Sequence, residues 1–101
     1  MPIGNWAFGG DWDIQPEFAV SKQNSTIELN FLANKVFLVI TPATDSDSIK
    51  VSLDGKFRSQ ITITESKLYT LVDLSGKSST HLLHLDFLTS GTKIYAFTFG
   101  D

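Results

Sequence analysis

Apolar residues recur at every second position through much of this chain, and short clusters of turn-forming residues cut that alternation into pieces. Ile27, Leu29 and Phe31 alternate with Thr26, Glu28 and Asn30; Ile49, Val51 and Leu53 alternate with Ser48, Lys50 and Ser52; Ile61 and Ile63 alternate with Thr62 and Thr64. A period of two marks a strand with one face in a core and one in water. The clusters Asn24-Ser25, Ala33-Asn34, Asp45-Ser46-Asp47, Asp54-Gly55, Ser75-Gly76-Lys77 and Ser90-Gly91 fall at about the 8 to 12 residue spacing of sandwiches and barrels. Asp54-Gly55 is the clearest of them, because both residues tolerate the positive φ that a two-residue hairpin demands. Residues 81 to 88 come nearest to a helical pattern, yet Leu83, Leu85 and Phe87 at alternate positions make a strand the better reading.

Three segments are apolar on both faces: Val36-Phe37-Leu38-Val39-Ile40, Leu68-Tyr69-Thr70-Leu71-Val72, and Ile94-Tyr95-Ala96-Phe97-Thr98-Phe99 before Gly100. In the last, strict alternation puts Tyr95, Phe97 and Phe99 on one face and Ile94, Ala96 and Thr98 on the other. Such a strand belongs in the middle of a sheet with both sides covered. About eight strands with centres of this kind predict an all-β, two-sheet antiparallel β-sandwich, jelly-roll-like. An immunoglobulin-type sandwich fits less well, since no Cys pair brackets a core Trp. Residues 1 to 101 show no composition break and are expected to form one domain. Met1-Pro2 reads as a start placed on an excised domain, although a cytosolic protein would begin the same way.

Composition excludes several classes of function. With no cysteine the chain has no disulfide, thiolate metal site or thiol nucleophile of its own. Eight Lys plus Arg against eleven Asp plus Glu give a net charge of −3, without the basic block that a phosphate backbone calls for. Nucleic acid is therefore not an expected partner. No apolar run approaches the roughly 18 residues of a membrane span, so this domain is not expected in the membrane.

The chemistry-bearing residues are few. In Trp6-Ala7-Phe8-Gly9-Gly10-Asp11-Trp12, flat aromatic faces stand beside acidic groups, a combination that docks the apolar face of a sugar ring while carboxylates take its hydroxyls. The competing reading packs both indoles into the sandwich. On the sugar reading, Trp12 is the main contact, Trp6, Phe37 and Tyr69 are lesser ones, and Asp11 and Asp13 accept from hydroxyls. His81, His84 and Asp86 resemble metal ligands only in type, since on a strand His81 faces away from the other two. Asp11, Asp13, Asp45 and Asp47 fall short of the six to eight oxygens that calcium takes, and read as turn or cap residues. Neither metal nor cofactor is expected. No Gly-x-Ser-x-Gly elbow occurs, Gly9-Gly10 lacks a phosphate-loop pattern, and no catalytic residue is assigned. Asn24-Ser25-Thr26 has the form of a glycosylation sequon and reads as a turn entering a strand.

Together, Asn5-Trp6-Ala7-Phe8-Gly9-Gly10-Asp11-Trp12, Val51-Ser52-Leu53-Asp54-Gly55, Leu68-Tyr69-Thr70-Leu71-Val72 and the closing Ile94-Tyr95-Ala96-Phe97-Thr98-Phe99-Gly100 carry a resemblance. The chain resembles the C-terminal domain of DipZ-type bacterial thiol-disulfide proteins, related to cytochrome c biogenesis. In these proteins a membrane electron-transfer domain, a thioredoxin-like domain or both precede a sandwich similar to carbohydrate-binding modules. Asn34-Lys35-Val36-Phe37-Leu38-Val39 and Leu83-His84-Leu85-Asp86-Phe87 sit where the family has strands of similar pattern. The chain departs from many relatives between Phe57 and Ile61, where they carry a longer loop rich in glycine and aspartate, and a ligand site lined by that loop would be reduced here. The two-cysteine motif of the thioredoxin portion is absent, so the resemblance implies no redox activity for this chain.

What the resemblance implies is an accessory domain that is not itself an enzyme. It would belong to a periplasmic or otherwise extracytoplasmic parent that is a thiol-disulfide oxidoreductase. Its partners would be a carbohydrate or polypeptide ligand and the thioredoxin-like domain of the same parent. The alternative is a structural or oligomerisation domain without a ligand.

Overall fold

A computed structural model describes residues 6 to 76 and 78 to 100. Met1, Pro2, Asn5 and Lys77, which enter the readings above, lie outside the described residues. The described residues form ten strands: β1 (Trp6–Gly9), β2 (Trp12–Ile14), β3 (Ala19–Ser21), β4 (Thr26–Ala33), β5 (Lys35–Thr41), β6 (Asp47–Leu53), β7 (Lys56–Ile63), β8 (Lys67–Asp73), β9 (Ser79–Phe87) and β10 (Lys93–Gly100). They make two five-stranded sheets in the orders β1-β4-β9-β6-β7 and β2-β3-β10-β5-β8. All strand pairings are antiparallel. Only β2 to β3 and β6 to β7 turn back within a sheet; every other connection crosses to the opposite sheet. This is the expected all-β, two-sheet antiparallel sandwich, with ten strands where about eight are anticipated.

The period-two segments bury the faces that their pattern selects. Ile27, Leu29, Phe31 and Ala33 of β4 meet Leu83, Leu85 and Phe87 of β9 and Ile49 and Val51 of β6 across the interior from Val36, Leu38 and Ile40 of β5 and Ile94 of β10. Each such side chain contributes roughly 1.5 to 3 kcal/mol through removal from water. Asp54 and Gly55 take φ of 52° and 82° and join β6 to β7, the hairpin that their residue types call for.

Two expectations about the apolar segments need correction. β10 does lie in the centre of its sheet, between β3 and β5. A bulge at Tyr95 and Ala96 shifts its register, however, so that Ile94, Phe97 and Phe99 stand opposite Ile40, Leu38 and Val36. The inner face is thus Ile94, Phe97 and Phe99, with Phe99 at the rim, and Tyr95 points to solvent; Tyr95 and Phe99 are 40% and 42% exposed. β8 is an edge strand, not a central one. Its doubly apolar look has the same physical origin: an extra residue, Leu71, between the positions opposite Val36 and Phe37 lets Leu71 and Val72 both turn inward.

The ends of the sandwich are held by buried polar groups. Asp47 is fully buried, and its carboxylate accepts from the N–H of Ala43 at 2.7 Å and Thr44 at 3.0 Å, and from the hydroxyls of Thr44 at 2.5 Å and Thr92 at 2.6 Å. Burial alone would raise its pKa, but these four bonds favour the anion more, and the carboxyl is held below its ordinary 3.8.

Candidate functional site

β1 and β2 lie at matching edges of the two sheets, and the mouth between them is filled by aromatic rings. Trp6 and Phe8 pair with the buried Leu29 and Ile27, so they face the interior, but among the described residues no strand lies beyond β1 and each ring stays 40% exposed. Trp6 meets Phe97 edge-on at 5.1 Å and Phe8 at 4.9 Å; Trp12 meets Phe8 at 5.0 Å and Phe87 edge-on at 4.9 Å. Five rings therefore run in contact from one sheet to the other. These are the tilted and edge-to-face spacings that aromatic quadrupoles favour. Trp12 is half-buried in this row, and its indole N–H donates to the carbonyls of Gly9 at 3.0 Å and Thr26 at 3.1 Å.

Beside the row opens a cleft of about 190 Å³, with Trp6, Phe8, Ile14, Phe18 and Tyr95 on its walls, Ile94 at its base and Gln15 and Glu17 at its rim. Phe18 and Tyr95 lie 5.8 Å apart, and the Lys93 ammonium sits 5.1 Å from the Phe18 ring. This volume is below the roughly 300 to 1,000 Å³ that encloses a drug-sized molecule. It is of the size of a single ring.

Of the residues singled out from the sequence, Trp6 lines this cleft and Trp12 backs it. Asp13 is half-buried close by and accepts from Gln15 Nε2 at 2.8 Å. Asp11 is exposed on the turn between β1 and β2, where its backbone bonds Gln23 and Ser25. Phe37 and Tyr69 stand elsewhere. Phe37 is half-buried on the outer face of β5, opposite Thr98 and Thr70. Tyr69 lies on β8, at the edge of the second sheet farthest from β2, with its ring buried and its hydroxyl donating to the Glu65 carbonyl at 2.6 Å. Phe8, Phe18 and Tyr95 also line the cleft and are not among those residues. Phe8 sits in the motif that drew attention to Trp6, whereas Tyr95 lies in the β10 bulge, which the sequence does not announce.

The histidines are placed as alternation requires. His84 and Asp86 share the outer face of β9 and lie 3.3 Å apart, while His81 faces the other way. His81 Nδ1 bonds the Asp54 carboxylate, and its Nε2 lies 2.8 Å from Ser79 Oγ. That order of groups matches a hydrolase's proton relay. Here the hydroxyl belongs to a strand paired with β4, not to a sharp turn that aims backbone N–H groups at a reacting carbonyl. What the row does is fasten the β6–β7 turn to β9: Asp54 also accepts from Leu82 N at 2.9 Å, and this bond, followed by that from His81, lowers its pKa.

Similarity to known proteins follows the fold. A family two carbohydrate esterase from Clostridium thermocellum, solved in complex with cellohexaose, superposes with a TM-score of 0.80 at 21% identity, over 95% of this chain and 31% of that one. An active-site mutant of that esterase gives 0.81 at 20% identity, over 97% and 32%. A family two carbohydrate esterase from Cellvibrio japonicus gives 0.75 at 10% identity, over 95% and 31%. The chain thus spans about a third of the length of these esterases, and at such identities the likeness is one of fold. No curated protein matches. A family model described as the thioredoxin-like C-terminal domain matches residues 1 to 100, and it is to that family that the chain belongs.

Proposed function

We propose that this chain is a non-catalytic accessory domain of an extracytoplasmic thiol-disulfide protein, and that it holds a glycan in the aromatic cleft between β1 and β10. The observation that carries this reading is the open, one-ring cleft walled by Trp6, Phe8, Phe18 and Tyr95. Family membership supports the accessory role, and the cellohexaose bound to an esterase of like fold supports the ligand class. Trp6 is the stacking platform, Phe8 and Tyr95 extend it, and Trp12 holds the platform from behind. Asp13 and Gln15 stand at the side, where hydroxyls of the next sugar residue would lie. The benefit to the parent is effective concentration: a short tether brings a neighbouring redox domain to about millimolar with respect to whatever the glycan is attached to.

The test is a glycan array followed by calorimetry with cellohexaose, on the wild type and on Trp6→Ala. The expected result is binding that falls at least tenfold in a variant that still unfolds in one cooperative transition well above the assay temperature. Absence of wild-type binding to any envelope or plant glycan would sink the sugar reading. A structural or oligomerisation role is the second reading, favoured by the apolar row Val39 and Leu68 on the outer face of the second sheet, where Leu68 is half-exposed on the edge strand β8. Sedimentation at increasing concentration separates the two, since dimerisation through that row would be abolished by Leu68→Lys and untouched by Trp6→Ala.

A further inference from the structure

A second cleft, of about 750 Å³, lies where the loop from β3 to β4 meets the end of β9. Its floor is one cross-strand row on the outer face of the first sheet: Thr26 opposite Asp86, and Asp86 opposite Lys50. Lys22 and Asn24 of the loop form one side, and the exposed Leu88 forms an apolar patch on the other. This cleft is distinct from the aromatic one. Phe87 lines the larger cleft and Phe8 the aromatic one, and the Trp12 ring stands between those two rings.

The loop is set before any ligand arrives. Ser25 is buried, and its hydroxyl accepts from Lys22 N at 2.7 Å and donates to the Asp11 carbonyl at 2.5 Å, while its own carbonyl takes Phe87 N at 2.9 Å. Asn24 adopts a φ of 54°, and the Gly10 backbone packs so tightly on its carbonyl that a Cβ there would come within 1.8 Å. Ordering costs that would weaken binding are thereby met in folding.

Charge selects the occupant. Among the described residues neither Lys22 nor Lys50 forms an ion pair; the pairs there are His81 with Asp54 and His84 with Asp86. The Lys50 ammonium rests 5.6 Å from the Phe57 ring. In a chain of net charge −3, the lining of this cleft thus carries two lysines against one carboxylate, a local excess of positive charge. Among the described residues Asp86 is the one carboxylate in the lining, and it stands between Lys50 on one neighbouring strand and Thr26 on the other. We infer that this cleft binds a carboxylated sugar, a hexuronate unit. Its carboxylate would lie between Lys22 and Lys50, its hydroxyls would bond Asp86, Asn24 and Thr26, and its apolar ring face would rest on Leu88.

The experiment is a titration of the ¹⁵N-labelled chain with sodium glucuronate, with glucose and inorganic phosphate as parallel arms. Glucuronate is expected to move the amides of residues 22 to 26 and 86 to 90 saturably, with a Kd on the order of millimolar. Raising the salt concentration should weaken it, since the attraction is screened. Glucose and phosphate should each bind at least tenfold more weakly. Lys22→Gln combined with Lys50→Gln should remove the response without disturbing the remaining spectrum, and Trp6→Ala should leave it intact, which separates this site from the aromatic cleft. Equal responses to glucose and glucuronate, phosphate binding as tight as glucuronate, perturbation confined to the aromatic cleft, or no saturable response would each overturn the inference.

Discussion

Asp47 shows how much one side chain can fix. It begins β6, yet its four donors come from the loop before that strand and from Thr92 just before β10, so a single carboxylate locks two inter-sheet connections. Asp47→Asn replaces an acceptor by an NH₂ group that faces donors. It should cost about 3 kcal/mol in urea unfolding, the scale of losing charge-assisted bonds in a buried site. The pH dependence follows in sign. A carboxyl held below its ordinary 3.8 in the folded state stabilises the fold at neutral pH, and that contribution fades as pH falls below about 4 through the folded pKa. The wild type should therefore lose stability on acidification more steeply than Asp47→Asn, as read from urea midpoints between pH 6 and 2. From the sequence alone, Asp45-Ser46-Asp47 reads as a turn, and nothing local says which of the two aspartates turns inward; that depends on Thr92, far along the chain. The two tryptophans divide in the same way. Both are flat and apolar, but the partners of Trp12 are the Phe87 ring and the Thr26 carbonyl, which only tertiary folding brings near. Trp12→Ala, which loses half-buried ring contacts and two indole hydrogen bonds, should cost about 3 kcal/mol in thermal or urea unfolding, against about 2 kcal/mol for the rim residue Trp6.

At the scale of the strand, alternation is legible wherever the strand is regular and misleading wherever it is bulged. β4, β6 and β9 bury the faces that a period of two selects. In β8 and β10 one added residue reverses the face without changing the residue types, so Leu71 with Val72 and Ile94 with Phe97 look two-sided when read as letters. The consequence for β10 is measurable. Phe97 packs on the core and on Trp6 but is only half-buried, so Phe97→Ala should cost about 2 to 3 kcal/mol rather than the 3 to 5 typical of an enclosed Phe. Tyr95→Ala, on the opposite side of the bulge, should cost under about 1 kcal/mol and weaken glycan binding instead. The turns divide similarly into readable and unreadable. Gly55 has φ 82° and open space where a Cβ would go, so Gly55→Ala carries only the left-handed strain of about 1 to 2 kcal/mol. Gly10→Ala adds a clash with the Asn24 carbonyl and should be the more damaging by thermal melt. The first cost is predictable from Asp54-Gly55 as a motif, and the second is not, because Gly10 and Asn24 meet only through the β1 to β4 pairing.

For the whole molecule, the order of the strands matters more than any one of them. Seven of the nine connections cross between sheets, so consecutive strands are seldom partners and nearly every ladder closes a long loop. A fold wired this way has few local substructures that could persist alone, and it should unfold as a unit and refold in milliseconds to seconds. β10 is where this dependence concentrates. It completes the second sheet from its centre, pairing with β3 on one side and β5 on the other. It also supplies Ile94 to the core and Phe97 to the ring row that closes the β1 edge. A chain ended after Thr92 would leave β3 and β5 unpaired toward each other and the apolar inner face of β5 facing a gap. No disulfide could hold the remainder, since the chain has no cysteine. Such a truncation should lose its cooperative urea transition and its near-ultraviolet aromatic signal together. Addition of residues 93 to 101 as a separate peptide should restore both in proportion to peptide concentration, because the missing contacts are lodged in one contiguous strand. If the shortened chain instead kept a cooperative transition, the first sheet would be an independent folding unit and the sandwich two halves rather than one.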